Sequence, residues 1–346
     1  MNDLTETTLS GYWTPTTAPT VAALRNGLRA MVIGRRLDRQ ASNLAKQGYL
    51  TVYPSSHGQE ACQVAAAQAL GPNDWLFPTY RDSVAMFTHR IDPVEVLTML
   101  RGDWHCGFDP KSRRCAPHAT PLATQCAHAV GLAVAAKKKG EDRVALALCG
   151  DGATSEGDFH EALNLAAVLK APVVFLVQHN GYAISVPSKR QFRAKSLADK
   201  AVGYGIRGEK VDGNDFVATL SALSDAVEYA RAGNGPVLVE ARTYRLAPHT
   251  NADDPDRYRA RKEAEPWLDR DPIVKLASQL EASGHLAPDT MRDIEDAAEI
   301  HAADLRKGVM TLPETDPSRL FANVYADPPP HLCEQRRDVL SEEAFA

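Results

Sequence analysis

Two stretches in the middle of the chain are apolar at every position: Val144-Ala145-Leu146-Ala147-Leu148-Cys149 and Val173-Val174-Phe175-Leu176-Val177. Residues 235–241 read as a further strand. Short runs without polar alternation are expected of strands buried on both faces, as in parallel sheets. Between the first two runs, residues 156–169 have helical spacing. Strand, helix and strand then fit one right-handed parallel crossover. Upstream, residues 21–47 place Leu24, Leu28, Met31 and Leu37 on one broad helical face. Residues 59–70 are Ala-rich and helix-forming. Residues 77–82 lead into a further helix. Asp92-Pro93 opens another that runs through Leu100, with Asp as N-cap and Pro at the first position. Residues 123–139 and 288–309 complete the helical set. This alternation predicts an α/β fold, a parallel sheet with helices on both faces.

No internal repeat or linker divides the chain. One main domain over residues 21–310 is expected, after a polar, Thr-rich arm (1–20) and before a Pro-rich, partner-contacting tail (311–346). Residues 102–121 are irregular, basic and rich in His and Cys. A structureless stretch of that length inside a domain points to a functional loop.

The chemistry sits just beyond the two apolar runs. Gly150-Asp151-Gly152 follows the first, and Gln178-His179-Asn180-Gly181-Tyr182 follows the second. Parallel strands end on the same side, so Asp151 and Asn180 meet past the strand tips, where open α/β sheets bind ligands. A carboxylate and an amide oxygen there suit a hard octahedral cation that also takes phosphate oxygens. The pair points to magnesium holding a diphosphate. Either motif alone reads as a turn; the force lies in finding both on one crossover, 29 residues apart. A nicotinamide-binding fingerprint fits poorly, because Ser155 stands where its third Gly or Ala belongs.

The remaining composition mostly excludes. With 346 residues, 44% apolar and 24% charged, the chain is of ordinary globular type. A net charge of −5 gives no reason to expect nucleic-acid binding. No window is apolar enough to span a membrane. The first residues, Met1-Asn2-Asp3-Leu4-Thr5-Glu6, resemble neither a secretory signal nor a transit peptide, so a cytoplasmic location is expected. Cysteines 62, 106, 115, 126, 149 and 333 form no C-x-x-C pair and read as reduced thiols. A zinc site from Cys106 and Cys115 fits no established ligand spacing.

Gly150-Asp151-Gly152 followed by Asn180 resembles the thiamine-diphosphate motif. The word Gly152-Ala153-Thr154-Ser155-Glu156-Gly157-Asp158-Phe159-His160-Glu161-Ala162 is similar to the alpha subunits of 2-oxo acid dehydrogenases, the decarboxylating first components of the pyruvate and branched-chain complexes. The resemblance runs from about residue 22 to about residue 300. It implies a thiamine-diphosphate-binding fold, with Asp151, Asn180 and the Tyr182 carbonyl as magnesium ligands. It further implies that Tyr80 and Arg81 meet the cofactor, with the amides of Gly152 and Ala153 on the diphosphate. His249 would contact the diphosphate and assist acyl transfer to a lipoyl group.

Thr120-Pro121-Leu122-Ala123-Thr124-Gln125 resembles the branched-chain word Ser-Pro-Leu-Ala-Thr-Gln. That places Thr120 and Leu122 near the cofactor, and a potassium ion on the backbone around Thr124 and Gln125. His105 and His118 are candidates for the substrate carboxylate. Three features depart from the pattern. His179 replaces the usual Asn, Gln178 replaces an Arg near the diphosphate, and Thr250 replaces a phosphorylated Ser. The glutamate that activates the cofactor belongs to a separate beta chain in this family. An assembly of two alpha and two beta chains, served by a lipoyl domain of the acyltransferase core, is therefore implied. The motifs lean toward 3-methyl-2-oxobutanoate-type acids, with pyruvate the alternative and a non-catalytic pairing subunit a further one.

Overall fold

Continuous apolar strands need cover on both faces, and the chain supplies it. The computed structural model describes residues 18–118, 120–311 and 316–343. The arm expected over residues 1–20 lies almost wholly outside them. Among the described residues seven strands follow in chain order: β1 (Trp75–Phe77), β2 (Ala145–Gly150), β3 (Val173–His179), β4 (Tyr182–Ala183), β5 (Val186–Pro187), β6 (Arg207–Asp212) and β7 (Val237–Arg242). A parallel five-stranded sheet runs β1-β2-β3-β7-β6, and β4 pairs with β5 in an antiparallel hairpin.

Successive strand residues face opposite sides. Leu146, Leu148, Val174 and Leu176 pack against the helices Val21–Lys46, Glu60–Gln68 and Phe216–Arg231. Ala145, Ala147, Val173 and Phe175 pack against Thr124–Lys139 and Gly157–Leu169. The expected two-faced α/β architecture is therefore present. A third apolar cluster, with Leu37, Leu44, Leu97, Leu305 and Val309, joins the first long helix to Pro93–Arg101 and Thr290–Met310.

The register positions the site. Gly150 lies opposite Gln178, Gln178 opposite Ala241, and His179 opposite Arg242. The carboxyl ends of β2, β3 and β7 therefore form one line. Asp92 caps its helix as expected, accepting from the Val94 amide at 2.7 Å. Other expectations are refined. A four-residue 3₁₀ turn, Gly152–Ser155, separates Asp151 from the following helix, which starts at Gly157. The loop 102–121 is less irregular than expected. It contains the short helix Pro110–Arg113, and Cys115 forms a parallel bridge to Leu76 beside β1. The tail carries a helix, Pro330–Glu343, beyond its prolines.

Phe159 is fully buried where the Gly157–Leu169 helix meets the sheet. Phe159→Ala should lower the unfolding free energy by about 3–5 kcal/mol. A denaturant midpoint equal to that of the parent would show that this helix is not held by the sheet.

Candidate active site

The cleft at the carboxyl edge has a volume of about 180 Å³ and is lined by Tyr80, Arg81, Asp151, Asn180, Arg245 and His249, among others. A larger groove of about 370 Å³ runs along the Val21–Lys46 helix. Convergent buried polar groups, not size, single out the smaller cleft.

Asp151 is fully buried. Its Oδ2 accepts from Ser188 Oγ at 2.9 Å and Gln191 Nε2 at 3.3 Å, while Oδ1 has no protein partner. A buried carboxylate oxygen without a partner is costly, and a cation removes the cost. Asn180 donates through Nδ2 to Gln59 Oε1 at 3.1 Å, which turns its oxygen to the other side. That oxygen accepts from the Tyr182 amide at 3.3 Å. The tight turn between them needs Gly181, whose φ is +94°.

Tyr182 lies opposite Pro187 in the hairpin. The Ser188 amide donates to the Gly181 carbonyl at 2.9 Å, so the Tyr182 pair is one of the non-hydrogen-bonded pairs. Its carbonyl therefore points away from the hairpin. One carboxylate oxygen, one amide oxygen and one carbonyl make a donor set for a hard cation. Gly152 packs so closely under the hairpin that an added Cβ would lie 2.7 Å from that of Ala183. The amides of Gly152 and Ala153 open the 3₁₀ turn and have no partner within it.

The opposite wall is cationic. Arg81 Nη1 donates to the Ser55 carbonyl at 2.9 Å. Its Nη2 donates to the His249 carbonyl at 2.9 Å and lies 3.0 Å from His249 Nδ1. Arg245, almost fully buried, brings Nη1 to 3.4 Å from the same nitrogen. Burial first, then the charges of Arg81 and Arg245, push the His249 pKa down to about 4. The ring is thus neutral near pH 7. With guanidinium donors at Nδ1, its hydrogen sits on Nε2. Burial and the nearby Arg81 charge also lower the pKa of Arg245. Two guanidiniums that share a buried wall without a carboxylate partner among their hydrogen bonds call for a polyanion.

The sequence profile of the Dehydrogenase E1 component family matches residues 28–315. The chain belongs to this family. It is 46% identical over 314 residues to the 3-methyl-2-oxobutanoate dehydrogenase subunit alpha of Mycobacterium tuberculosis, covering 91% of this chain and 86% of that protein. It is 37% identical over 312 residues to the pyruvate dehydrogenase E1 component subunit alpha of Staphylococcus aureus, covering 89% and 84%. Such components are 2-oxo acid dehydrogenases that depend on thiamine diphosphate. The alpha-subunit names of the relatives imply a beta partner.

Within this dehydrogenase component the cleft gathers Tyr80, Arg81, Leu122, Asp151, Gly152, Ala153, Gln178, Asn180, Tyr182 and His249. Thr120 is exposed and does not line it. Gln178 lines it, yet its amide is committed inward, donating to Asp82 Oδ1 at 2.6 Å and accepting from Gln63 at 3.3 Å. His105 is exposed against Trp104. His118 is buried, and burial alone lowers its pKa to about 4. Neither histidine lines the cleft. Where potassium is implied, Gln125 donates to the Leu148 carbonyl at 2.7 Å and Thr124 to Asp158 at 3.4 Å. Among the described residues no cluster of three His, Cys, Asp or Glu residues could hold a metal, so nothing supports zinc at Cys106 and Cys115.

Arg245, Gln59, Ser188 and Gln191 were not singled out from the sequence. An arginine three residues past the end of β7 was a usable signal for the first. The other three come from loops and helix starts with no motif.

The site also titrates. The folded His249 value of about 4 lies below the ordinary 6.5. As pH falls, the unfolded chain takes up this proton first, so stability is lost through that window. Arg81→Met should move the His249 titration upward, read by NMR of isotopically labelled histidine rings. An unmoved titration would overturn the electrostatic account.

Proposed function

We propose that the chain is the alpha subunit of a branched-chain 2-oxo acid dehydrogenase. With its beta partner it would carry out oxidative decarboxylation of 3-methyl-2-oxobutanoate-type acids and acyl transfer to a lipoyl group. The observation that carries this reading is the unpartnered, buried Asp151 Oδ1 in the cleft that Asn180 also lines. Those two side chains and the Tyr182 carbonyl would hold magnesium. Arg81 and Arg245, with the amides of Gly152 and Ala153, would meet the diphosphate. When bound, thiamine diphosphate supplies the carbon nucleophile and the electron sink.

The chain's own part is to bind, orient and hold a proton. His249, neutral and protonated at Nε2, can donate a hydrogen bond toward a diphosphate or substrate oxygen. Tyr80 packs edge-on against it, with ring centroids 6.1 Å apart, and steadies its orientation. Leu122 and Ile184 give the cleft an apolar rim. The substrate reading is supported by the higher identity to the branched-chain relative and by the Thr120–Gln125 and His249–Asp254 words. Pyruvate is the alternative. A pocket discriminates by only about 1–3 kcal/mol per methylene, so beta-chain residues bear on the choice. A cofactor-binding body would span residues 21–310, and a tail over 311–346 would contact the partner. The proposed assembly is two alpha and two beta chains served by a lipoyl domain, in the cytoplasm.

An artificial-acceptor assay on the alpha–beta complex with thiamine diphosphate and magnesium tests this. Turnover should favour 3-methyl-2-oxobutanoate over pyruvate. A preference for pyruvate would transfer the assignment, and no turnover by a stable complex would favour the non-catalytic pairing subunit. Asp151→Ala should abolish magnesium-dependent cofactor binding without unfolding the chain; unchanged cofactor affinity would sink the metal assignment.

A further inference from the structure

A carboxylate that offers one oxygen to a cation must have its other oxygen held, because the two exchange by rotation about the terminal torsion. Asp151 Oδ2 is held by Ser188, and Ser188 is itself held. Its Oγ lies 2.9 Å from His179 Nε2, and His179 Nδ1 lies 2.7 Å from Glu240 Oε1. Glu240 is fully buried, and its Oε2 accepts from the Ser196 hydroxyl and, at 3.1 Å, from the Ala198 amide. Burial opposes the charge on Glu240, yet the His179 bond and charge, with Ser196 and the Ala198 amide, bring its pKa down to about 2.

The direction of these bonds follows from counting hydrogens. Ser188 has one proton, and its bond to Asp151 uses it. The hydroxyl must then accept from Nε2, and Nδ1 faces the Glu240 carboxylate. Arg242 Nη1 lies 3.1 Å from Nδ1 and 3.4 Å from Nε2. The backbone fixes both ends of the chain. His179 and Arg242 are register partners in adjacent strands, and Ser188 is tied to Gly181 across the hairpin.

We infer that His179 and Ser188 are positioning residues that fix Asp151 Oδ2 through a Glu240–His179–Ser188 relay, leaving Oδ1 aimed at a divalent cation. The inference rests on the metal reading above. A buried polar pair is weak evidence of stabilisation, since apolar replacements are often neutral. Orientation of a ligand is the better account of this one, and supporting hydrogen bonds of this kind are worth about 10–100-fold in metal affinity.

The test uses the alpha–beta complex stripped of cations, with saturating thiamine diphosphate, titrated with Mn²⁺ and read by electron paramagnetic resonance. Ser188→Ala should raise the Mn²⁺ dissociation constant by about 10–100-fold, with the cation-free thermal midpoint unchanged. Ser188→Thr, which keeps the hydroxyl, should restore parent affinity. His179→Gln is read instead if Ser188→Ala fails to assemble, with weakening again expected. Asp151→Asn separates the two claims. If it loses Mn²⁺ while Ser188→Ala and His179→Gln bind like the parent, the relay is overturned and the metal site stands. If Asp151→Asn itself binds Mn²⁺ like the parent, the metal site falls and the relay with it.

Discussion

The site depends on one constraint, the shared register of β2, β3 and β7. Parallel pairing leaves no freedom to stagger their carboxyl ends once the apolar residues have chosen their faces. A slip of one residue would turn Leu146 and Leu148 to the wrong layer of the core. The packing of the interior therefore fixes where Asp151, Asn180 and Thr243 emerge. Polar chemistry at the edge is positioned by apolar chemistry in the sheet. The Thr243 amide closes the arrangement by donating to the His179 carbonyl at 3.0 Å.

Two charge problems meet at that edge, and each answers the other. On one side a buried carboxylate oxygen lacks a partner. On the other, Arg81 and Arg245 crowd a neutral histidine. A cation alone would worsen the second problem, and a polyanion alone would worsen the first. A cation–diphosphate pair would relieve both, the cation meeting the carboxylate and the diphosphate meeting the guanidiniums. The loop carrying His249 is tied down accordingly. Asp253 accepts from the His249 amide at 2.7 Å, and Arg259 Nη2 donates to the carbonyls of Leu246 and Ala247 at 2.9 and 3.0 Å.

What the sequence made legible were elements whose environment is uniform. β2 and β3 are buried on both faces, so their apolar runs stand out. The half of the site built on Asp151 and Asn180 follows from them, since strand ends and glycine turns are local features. β6 carries no such signal: Arg207-Gly208-Glu209-Lys210-Val211-Asp212 is a half-exposed edge strand, and only Val211 in it is buried. The Phe216–Arg231 helix does show its period, and Asp215 caps it through the Ala218 amide. The cationic wall was half visible. Tyr80-Arg81 forms a recognisable word, whereas Arg245 belongs to no such word and joins the cleft only in the folded chain. Thr120 shows the reverse: a motif can match while the side chain stays outside the cleft.

His179 illustrates why one substitution in a motif need not weaken it. An Asn there would be too short to reach both Glu240 on β7 and Ser188 beyond the hairpin. The imidazole spans that gap with nitrogens on opposite sides of a rigid ring, and so connects elements from both sides of β3. The buried carboxylate of Glu240 would be expensive without such a donor. Both requirements are met by the residue that departs from the family pattern, so the departure belongs with its surroundings: histidine at 179, glutamate at 240 and serine at 188 act as one unit. A change at any of them is a change to how Asp151 is held.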